Sequence, residues 1–326
     1  MKAAVFLDVK KIEYREDYPK PSPGPEDVLI KTHYCGICGS DITNFKLKMY
    51  QVPLIMGHEF TGEVVQIGDR VKNVTIGDKV CGINVALDIG QGELDGLGIF
   101  KDGGFAEYVN LPGKYLFHIP KSISTKDAIM IESFANACRG VRLSNIEKNQ
   151  NIAIIGAGNI GLCFLKYLLI EKKPNYIFVV DPQEFLRDTA KKIGANEAFP
   201  TNTAKIKKYL KKYGEPNYIF DCAGNQDSIL MAIDLIKKGG NIILEGIYKG
   251  KILLPMFLIN SKEACIKGIL GHDREDILTA IDFFDRNVID TDQFISYIMP
   301  LSEIQNAFEK YLDPHNRNFI KIAIKP

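Results

Sequence analysis

The stretch "IAIIGAGNIG", residues 152–161, decides the fold of the second half of the chain. A short apolar run leads into Gly156, Gly158 and Gly161, which have the spacing G-x-G-x-x-G, and a helical pattern follows directly. The first glycine of such a motif permits a tight turn, and the second lets a pyrophosphate approach backbone N–H groups. The third lets the helix pack closely against the strand. Strand, turn and helix in this order predict a dinucleotide site, which a glycine triplet alone would not.

An acidic residue follows at the distance that this kind of site requires. The next strand-like run, "YIFVVD", ends in Asp181, twenty residues beyond Gly161. A carboxylate there accepts hydrogen bonds from the ribose hydroxyls and repels a 2′-phosphate, so the sequence favours NAD over NADP. We expect the loops after the neighbouring strands to complete the site, with contributions from Asn159, Ile160, Cys222, Ala223 and Gly246.

The texture of the chain changes near residue 140 and predicts two domains in an α/β protein with a β-rich part. Residues 141–270 alternate short β-branched runs with amphipathic helical stretches, the pattern of a doubly wound parallel sheet, or Rossmann domain. Residues 1–140 hold β-rich runs broken by Gly, Pro and Asp, which indicates a barrel-like antiparallel domain. The final "NFIKIAIKP", within 271–326, is a strand pattern that we expect to complete the first domain.

Composition excludes several classes of partner. The 326 residues carry 41 basic and 40 acidic side chains, which predicts neither a nucleic-acid nor a membrane-surface partner. The apolar run before Asp8 is too short for a secretory signal, and the run 152–170 is interrupted by the glycine motif. Seven scattered cysteines do not resemble a secreted disulfide framework, so we expect reduced thiols and a cytoplasmic protein.

The stretch "HYCGICGSDITNF", residues 33–45, raises a separate question about metal chemistry. Cys35 and Cys38 form a C-x-x-C pair, but a redox pair belongs between a strand and a helix of a small βαβ domain. A structural zinc site needs four ligands, and no second C-x-x-C follows. A catalytic zinc needs about three protein ligands and an open position. Further candidate ligands are His58 and Glu59 in "GHEFTGEV" and Glu132 in "MIESFANA".

Taken together, these motifs resemble those of the zinc-dependent medium-chain dehydrogenases, the branch with sorbitol, threonine and galactitol-1-phosphate dehydrogenases. The family order is kept along nearly the whole chain by "CGICGSD", "GHEFTGEV", "GDKV", "GGFAEYV", "IESFANA", "GAGNIG", "VVD" and "PLSEIQNAFE". The resemblance implies a GroES-like barrel catalytic domain beside the Rossmann domain. It also implies hydride transfer between NAD and an alcohol or ketone whose oxygen is polarised by zinc.

The resemblance assigns roles to individual residues. It implies one catalytic zinc per chain, bound by Cys38 and His58 and, directly or through water, by Glu59 and Glu132, while Cys35 is a bystander. Asp41 would orient the histidine ligand, and Ser40 would hydrogen-bond the reacting oxygen and pass on its proton.

The chain departs from the family pattern at several positions. Many relatives carry a lobe of four cysteines that binds a second zinc, but the interval from Cys81 to Gly103 holds a single cysteine, so we expect no structural zinc. Thr43 stands where many relatives have the histidine that ends the proton relay, and Ser133 replaces a proline. The candidates for substrate contact are Thr43, Arg139, where a histidine is common, and His272.

Three functions remain open at this point. The first is oxidation of a secondary hydroxyl of a polyol, sugar or sugar phosphate, and the second is oxidation of an amino alcohol such as threonine or an aminocyclitol. The third is a dinucleotide-binding protein without catalysis, although retention of the whole metal-ligand set argues against it. We expect a homodimer or homotetramer with a small-molecule substrate.

Overall fold

The computed structural model describes residues 1–82, 96–201, 203–313 and 318–326. Over these residues the chain divides into two compact units, Met1–Glu132 with Ile277–Pro326, and Ser133–Asp276. Part of the interval in which the sequence lacks a four-cysteine lobe, residues 83–95, lies outside the described residues.

The described part of the chain alternates strands and helices. The strands are β1 (Ala3–Asp8), β2 (Lys11–Arg15), β3 (Asp27–Gly36), β4 (Leu54–Ile55), β5 (Glu59–Ile67), β6 (Lys79–Gly82), β7 (Tyr108–Pro112), β8 (Leu116–His118), β9 (Asn151–Ile155), β10 (Tyr176–Val180), β11 (Glu197–Phe199), β12 (Tyr218–Asp221), β13 (Asn241–Leu244), β14 (Cys265–Gly268), β15 (Ile295–Pro300) and β16 (Lys321–Lys325). The helices are α1 (Gly39–Leu47), α2 (Thr125–Ala128), α3 (Ile131–Ser144), α4 (Asn159–Glu171), α5 (Glu184–Ile193), α6 (Thr203–Tyr213), α7 (Gln226–Leu235), α8 (Met256–Lys262), α9 (Arg274–Asp285) and α10 (Ile304–Lys310).

The first unit is built around a mixed sheet in which β3 is central. The strand order is β15-β16-β3-β5-β6-β8, with β7 also paired to β3, and a second small sheet has the order β2-β1-β4. Strand β3 runs antiparallel to β5 and to β16, so the chain's last strand lies in the same sheet as its first long one. Beneath the sheets, the rings of Phe45 and Phe105 pack on Phe308 at centroid distances of 5.1 and 5.7 Å. The β-rich texture of the first 140 residues is confirmed.

The second unit contains the predicted parallel sheet. Its strand order is β11-β10-β9-β12-β13-β14, and every pair is parallel. With the strands numbered along the chain, this is the 3-2-1-4-5-6 order of a doubly wound Rossmann fold, and the prediction is confirmed. The order reverses between β9 and β12, which places the loop after β9 at the topological switch point where such sheets bind ligands.

The glycine motif forms the turn at that point. Gly156 has a φ of 96°, which favours glycine, and α4 begins directly after Gly158. A Cβ on Gly161 would lie 1.9 Å from the carbonyl oxygen of Gly156, so the helix reaches its position only without a side chain there. The apolar run 152–170 is therefore a strand, a turn and a helix. Within the described ranges, no helix is both long and apolar enough to span a membrane.

Candidate active site

Three side chains of the first unit converge on a potential metal position. One ligand atom each from Cys38, His58 and Glu59 lie within 4.8 Å of one another. Cys38 caps the N-terminus of α1, and His58 and Glu59 stand where the chain enters β5. His58 and Glu59 are almost fully buried, at 4% and 1% exposure. A thiolate, an imidazole and a carboxylate are all zinc ligands, and three of them leave a fourth position open.

The backbone on both sides of the cluster is fixed by local features. Gly57, immediately before His58, has a φ of 97° and turns the chain between β4 and β5. A Cβ on Gly57 would lie 2.8 Å from the Sγ of Cys35, so the sulfur of Cys35 packs against this turn. Cys35 is fully buried in the apolar core and is absent from the metal-ligand cluster. The structure thus separates the two cysteines of the C-x-x-C pair.

Asp41 lies close to both Cys38 and His58. Its carboxylate is buried, and its Oδ2 accepts a hydrogen bond of 2.9 Å from the backbone N–H of Cys38. Its Oδ1 lies 3.7 Å from Nδ1 of His58, which is an ion-pair distance and too long for a hydrogen bond. With Nδ1 turned toward Asp41, Nε2 is the ring nitrogen that remains for a metal. The position agrees with the orienting role expected of Asp41.

Burial and neighbouring charges shift the pKa values of the side chains in and beside the cluster. Burial, together with the nearby Glu59 carboxylate, raises the pKa of the Cys38 thiol. The same two causes raise the pKa of Glu132 to about 7. Burial disfavours a charged His58, yet the charges of Asp41 and Cys38 raise its pKa well above the ordinary value. A group of buried acidic ligands of this kind is suited to a divalent cation, which would compensate their charge.

Lys321 supplies a cation at the same place. Its side chain and that of Glu59 are both fully buried, and its Nζ forms an ion pair with Oε2 of Glu59. Although burial works against the charged form of the carboxylate, Lys321 and His58 hold the pKa of Glu59 below its ordinary value. Lys321 was not among the site residues expected from the sequence. The one available signal was a lysine inside the apolar run "FIKIAI".

Glu132 lies beside the cluster and outside the 4.8 Å group. It is the second residue of α3, is 8% exposed, and shares a hydrogen bond with the Glu59 carboxyl. Ser40 and Thr43 both lie on α1, which begins at Cys38, and both are partly exposed. Ser40, two residues from the thiol ligand, is the nearer of the two along the chain. The roles expected of these three residues stay predictions.

The predicted dinucleotide residues lie at one edge of the second unit's sheet. The glycine motif follows β9, Asp181 follows β10, Cys222 and Ala223 follow β12, and Gly246 follows β13, so all stand at carboxyl ends of parallel strands. Asp181 is 6% exposed, and its two carboxylate oxygens accept hydrogen bonds of 2.8 Å from the backbone N–H groups of Ala157 and Gln183. These bonds fix the carboxylate beside the glycine turn.

Asn159, where α4 begins, is tied to α3. Its Nδ2 donates a hydrogen bond of 2.8 Å to Oγ of Ser133. Ser133 is the residue that stands in place of the family's proline, and it is fully buried. Two polar residues therefore hold the start of α3 to the start of the glycine-loop helix. Ile160 follows on the same first turn of α4 and is partly exposed.

Two candidates for substrate contact have other partners in the structure. Arg139 is paired with Asp273 at 2.8 Å and with Asp276 at 3.4 Å. Arg142 contacts the same two carboxylates at 2.7 and 2.9 Å and Glu275 at 3.5 Å, so Arg139 belongs to a five-residue ion-pair network between α3 and the start of α9. His272 is buried, and its Nδ1 lies 3.3 Å from Oδ1 of Asn136. The ion pairs give Arg139 a structural role, and substrate contacts by Arg139 and His272 stay predictions.

Comparison with known proteins agrees with this architecture. Residues 24–121 match the alcohol dehydrogenase GroES-like domain, and residues 160–286 match the zinc-binding dehydrogenase family. The chain belongs to the zinc-dependent medium-chain dehydrogenases. It is an oxidoreductase of that family, as its motifs indicated, and zinc and a nicotinamide dinucleotide are the cofactors of its class.

Individual relatives cover the whole chain. An L-threonine 3-dehydrogenase from Shewanella frigidimarina (strain NCIMB 400) is 29% identical, over 95% of this chain and 96% of the relative. The structure of 2R,3R-butanediol dehydrogenase from Bacillus subtilis superposes with a TM-score of 0.89 at 26% identity, covering 100% and 99% of the two chains. Galactitol-1-phosphate dehydrogenase from Escherichia coli has a TM-score of 0.91 at 21% identity over both full chains, which shows the shared fold.

The separation of the two cysteines leads to a test of the metal site. We expect Cys38→Ala to lose nearly all bound zinc, because it removes one of the three converging ligands. Cys35→Ala should keep its zinc. The substitution leaves a small core cavity, which should lower the free energy of unfolding by about 1 kcal/mol. Zinc per chain, measured by elemental analysis after dialysis, checks both variants. Equal loss of zinc from Cys35→Ala and Cys38→Ala would show that both thiols bind the metal.

Proposed function

We propose that this protein is an NAD-dependent dehydrogenase that interconverts a secondary hydroxyl and a ketone at a single zinc bound by Cys38, His58 and Glu59. The observation that carries the proposal is the convergence of these three ligand atoms within 4.8 Å in a buried site. Zinc held there would act as a Lewis acid on the oxygen of the substrate.

The side chains around the cluster provide the remaining functions. Asp41, whose buried carboxylate lies 3.7 Å from Nδ1 of His58, is our candidate to orient the imidazole. Glu132, which shares a hydrogen bond with the Glu59 carboxyl, is our candidate for a further contact to the zinc, directly or through water. The hydroxyl of Ser40, on the first turn of α1, is our candidate to carry the proton of the substrate hydroxyl toward solvent. Thr43 cannot replace a histidine in accepting that proton, so water completes the path.

NAD is proposed as the cofactor because of Asp181. The carboxylate is held next to the glycine turn by the N–H groups of Ala157 and Gln183, at the place where the adenosine ribose of a bound dinucleotide lies. A 2′-phosphate would meet this buried negative charge, whereas ribose hydroxyls would donate to it. The loops with Cys222, Ala223 and Gly246 would line the rest of the cofactor.

This proposal gives a cofactor prediction. The specificity constant with NAD should exceed that with NADP by about 10²-fold, because NADP loses ribose hydrogen bonds and gains charge repulsion. Asp181→Asn should narrow that ratio mainly by improving the use of NADP. Steady-state kinetics with both cofactors, for the natural protein and the variant, provide the measurement. Equal use of NADP by the natural protein would mean that Asp181 does not bind the ribose hydroxyls.

The substrate is proposed to be a polyhydroxylated secondary alcohol: a polyol, a sugar or a sugar phosphate. The metal cluster is rich in carboxylate, since Glu59 and Glu132 lie side by side. Carboxylates near the reacting hydroxyl can accept hydrogen bonds from neighbouring hydroxyls, and a site built for such bonds rejects an analogue that lacks them. The amino alcohol alternative, threonine or an aminocyclitol, is kept because the threonine 3-dehydrogenase relative covers nearly the entire chain. Retention of the buried ligand cluster disfavours a binding protein without catalysis.

A substrate panel separates these classes. We expect at least one of sorbitol, xylitol, ribitol, an inositol or galactitol 1-phosphate to exceed ethanol in specificity constant by about 10²-fold or more. L-Threonine and 2,3-butanediol are run beside them, with NADH formation as the readout and Cys38→Ala as the inactive control. A highest value for threonine would favour the amino alcohol alternative. A higher value for ethanol or 1-butanol than for every polyol would contradict the substrate class while leaving the zinc and NAD proposals in place.

We also propose that the protein works in the cytoplasm as a homodimer or homotetramer. The edge strand β14 presents exposed residues along most of its length. Apolar side chains are exposed in the same unit, and Leu253 and Phe257 are 82% and 87% exposed. Exposed sheet edges and exposed apolar groups are both typical of self-association surfaces, and antiparallel pairing of two β14 strands would cover the edge.

A further inference from the structure

Three neighbouring strands of the first unit, β16, β3 and β5, carry residues that meet at the proposed metal site. Gly36 of β3 is paired with Glu59 of β5 on one side and with Ala323 of β16 on the other. Residues directly opposite one another in antiparallel strands point to the same face, and so do residues two apart in one strand. Lys321 therefore lies on the same face as Gly36 and Glu59, and its side chain crosses β3 to reach the carboxylate.

Gly36 leaves the space for that crossing. A Cβ at position 36 would lie 2.5 Å from Oε2 of Glu59 and 2.6 Å from Cε of Lys321. A side chain there would displace both the carboxylate of Glu59 and the end of the Lys321 side chain. The glycine of "CGIC" is thus explained by the passage of a lysine that is 285 residues away along the chain.

Stability alone is a poor explanation for burying this lysine. Desolvation of a buried ion pair costs free energy that the mutual attraction often fails to recover, and an apolar pair of similar volume is frequently as stable. Lys321 is fully buried, and Cys38, Glu59 and Glu132 are close enough to interact with it electrostatically. It therefore places a fixed positive charge against the ligand that a divalent cation would also bind.

We infer that Lys321 is a positioning residue for the metal site: by holding Oε2 of Glu59, it leaves a single carboxylate oxygen for the metal and competes with the metal for that ligand. This inference rests on the proposed zinc site. Glu59 is then a weakly held, exchangeable ligand, and the open position needed by a substrate oxygen is kept free. A second cation near zinc also lowers the affinity of the site, since the two charges repel each other in a poorly screened interior.

The test replaces Lys321 with methionine, which has a similar length and no charge. After removal of bound metal, zinc affinity is measured by competition with a chromophoric chelator, using zinc alone. We expect Lys321→Met to bind zinc at least about tenfold more tightly, because it removes a cation from the neighbourhood of the metal. Cobalt substitution provides a second readout. The visible absorption of the Co²⁺ form should weaken in Lys321→Met as Glu59 binds through both oxygens and raises the coordination number.

Controls separate this role from a merely structural one. Lys325→Met removes an exposed lysine from the same strand and should leave zinc affinity and the Co²⁺ spectrum unchanged. Lys321→Arg keeps the charge and should remain within about threefold of the natural protein in zinc affinity. Lys321→Gln, which removes the charge and keeps a polar end, should change zinc affinity in the same direction as Lys321→Met, and it serves if Lys321→Met fails to fold.

Three outcomes are decisive. Unchanged or weaker zinc binding in the folded Lys321→Met variant would overturn the inference, whatever its Co²⁺ spectrum. If Lys321→Met does not fold, unchanged or weaker binding in the folded Lys321→Gln variant overturns it equally. Failure of the proposed function looks different, because the natural protein itself would then bind no zinc or lack dehydrogenase activity with zinc bound.

Discussion

The pairing of β3 with its two antiparallel neighbours is the constraint on which the candidate site depends. The register sets Gly36 opposite Glu59, and the chain leaves β3 to place Cys38 two residues later at the start of α1. A shift of one residue would turn Glu59 to the other face of the sheet. It would then separate the carboxylate from Cys38 and His58 and leave Lys321 buried without its counter-ion.

The same constraint explains why buried charges are tolerated here. Asp41, His58, Glu59, Glu132 and Lys321 are each at most 8% exposed, and each has a charged neighbour in the structure. Removing one member of such a group leaves an uncompensated charge in a poorly screened interior, which is far more costly than removing a complete pair. The members of the cluster are therefore energetically coupled to one another.

The parts of the fold that depend on local sequence could be predicted. The glycine motif predicts strand, turn and helix because Gly156 needs a positive φ and Gly161 faces a carbonyl oxygen, and both requirements act within six residues. Cys38, His58 and Glu59 could be selected because their residue types match zinc and their motifs occur in family order. The role of Lys321 could not be predicted in this way. Its partner is set by the pairing of strands from opposite ends of the chain, which periodicity does not report. Arg139 was ambiguous for the same reason, since Asp273 and Asp276 are distant in sequence.

X-ray absorption at the zinc edge, combined with elemental analysis of the natural protein, tests the proposed metal site most directly. A zinc bound by Cys38, His58 and Glu59 should give one zinc per chain with a single sulfur ligand at about 2.3 Å and nitrogen or oxygen ligands at about 2.0–2.2 Å. Two or more sulfur ligands would place Cys35 or another thiol at the metal. Two zincs per chain would reveal a further site, and a protein that stays metal-free and active would contradict the central claim.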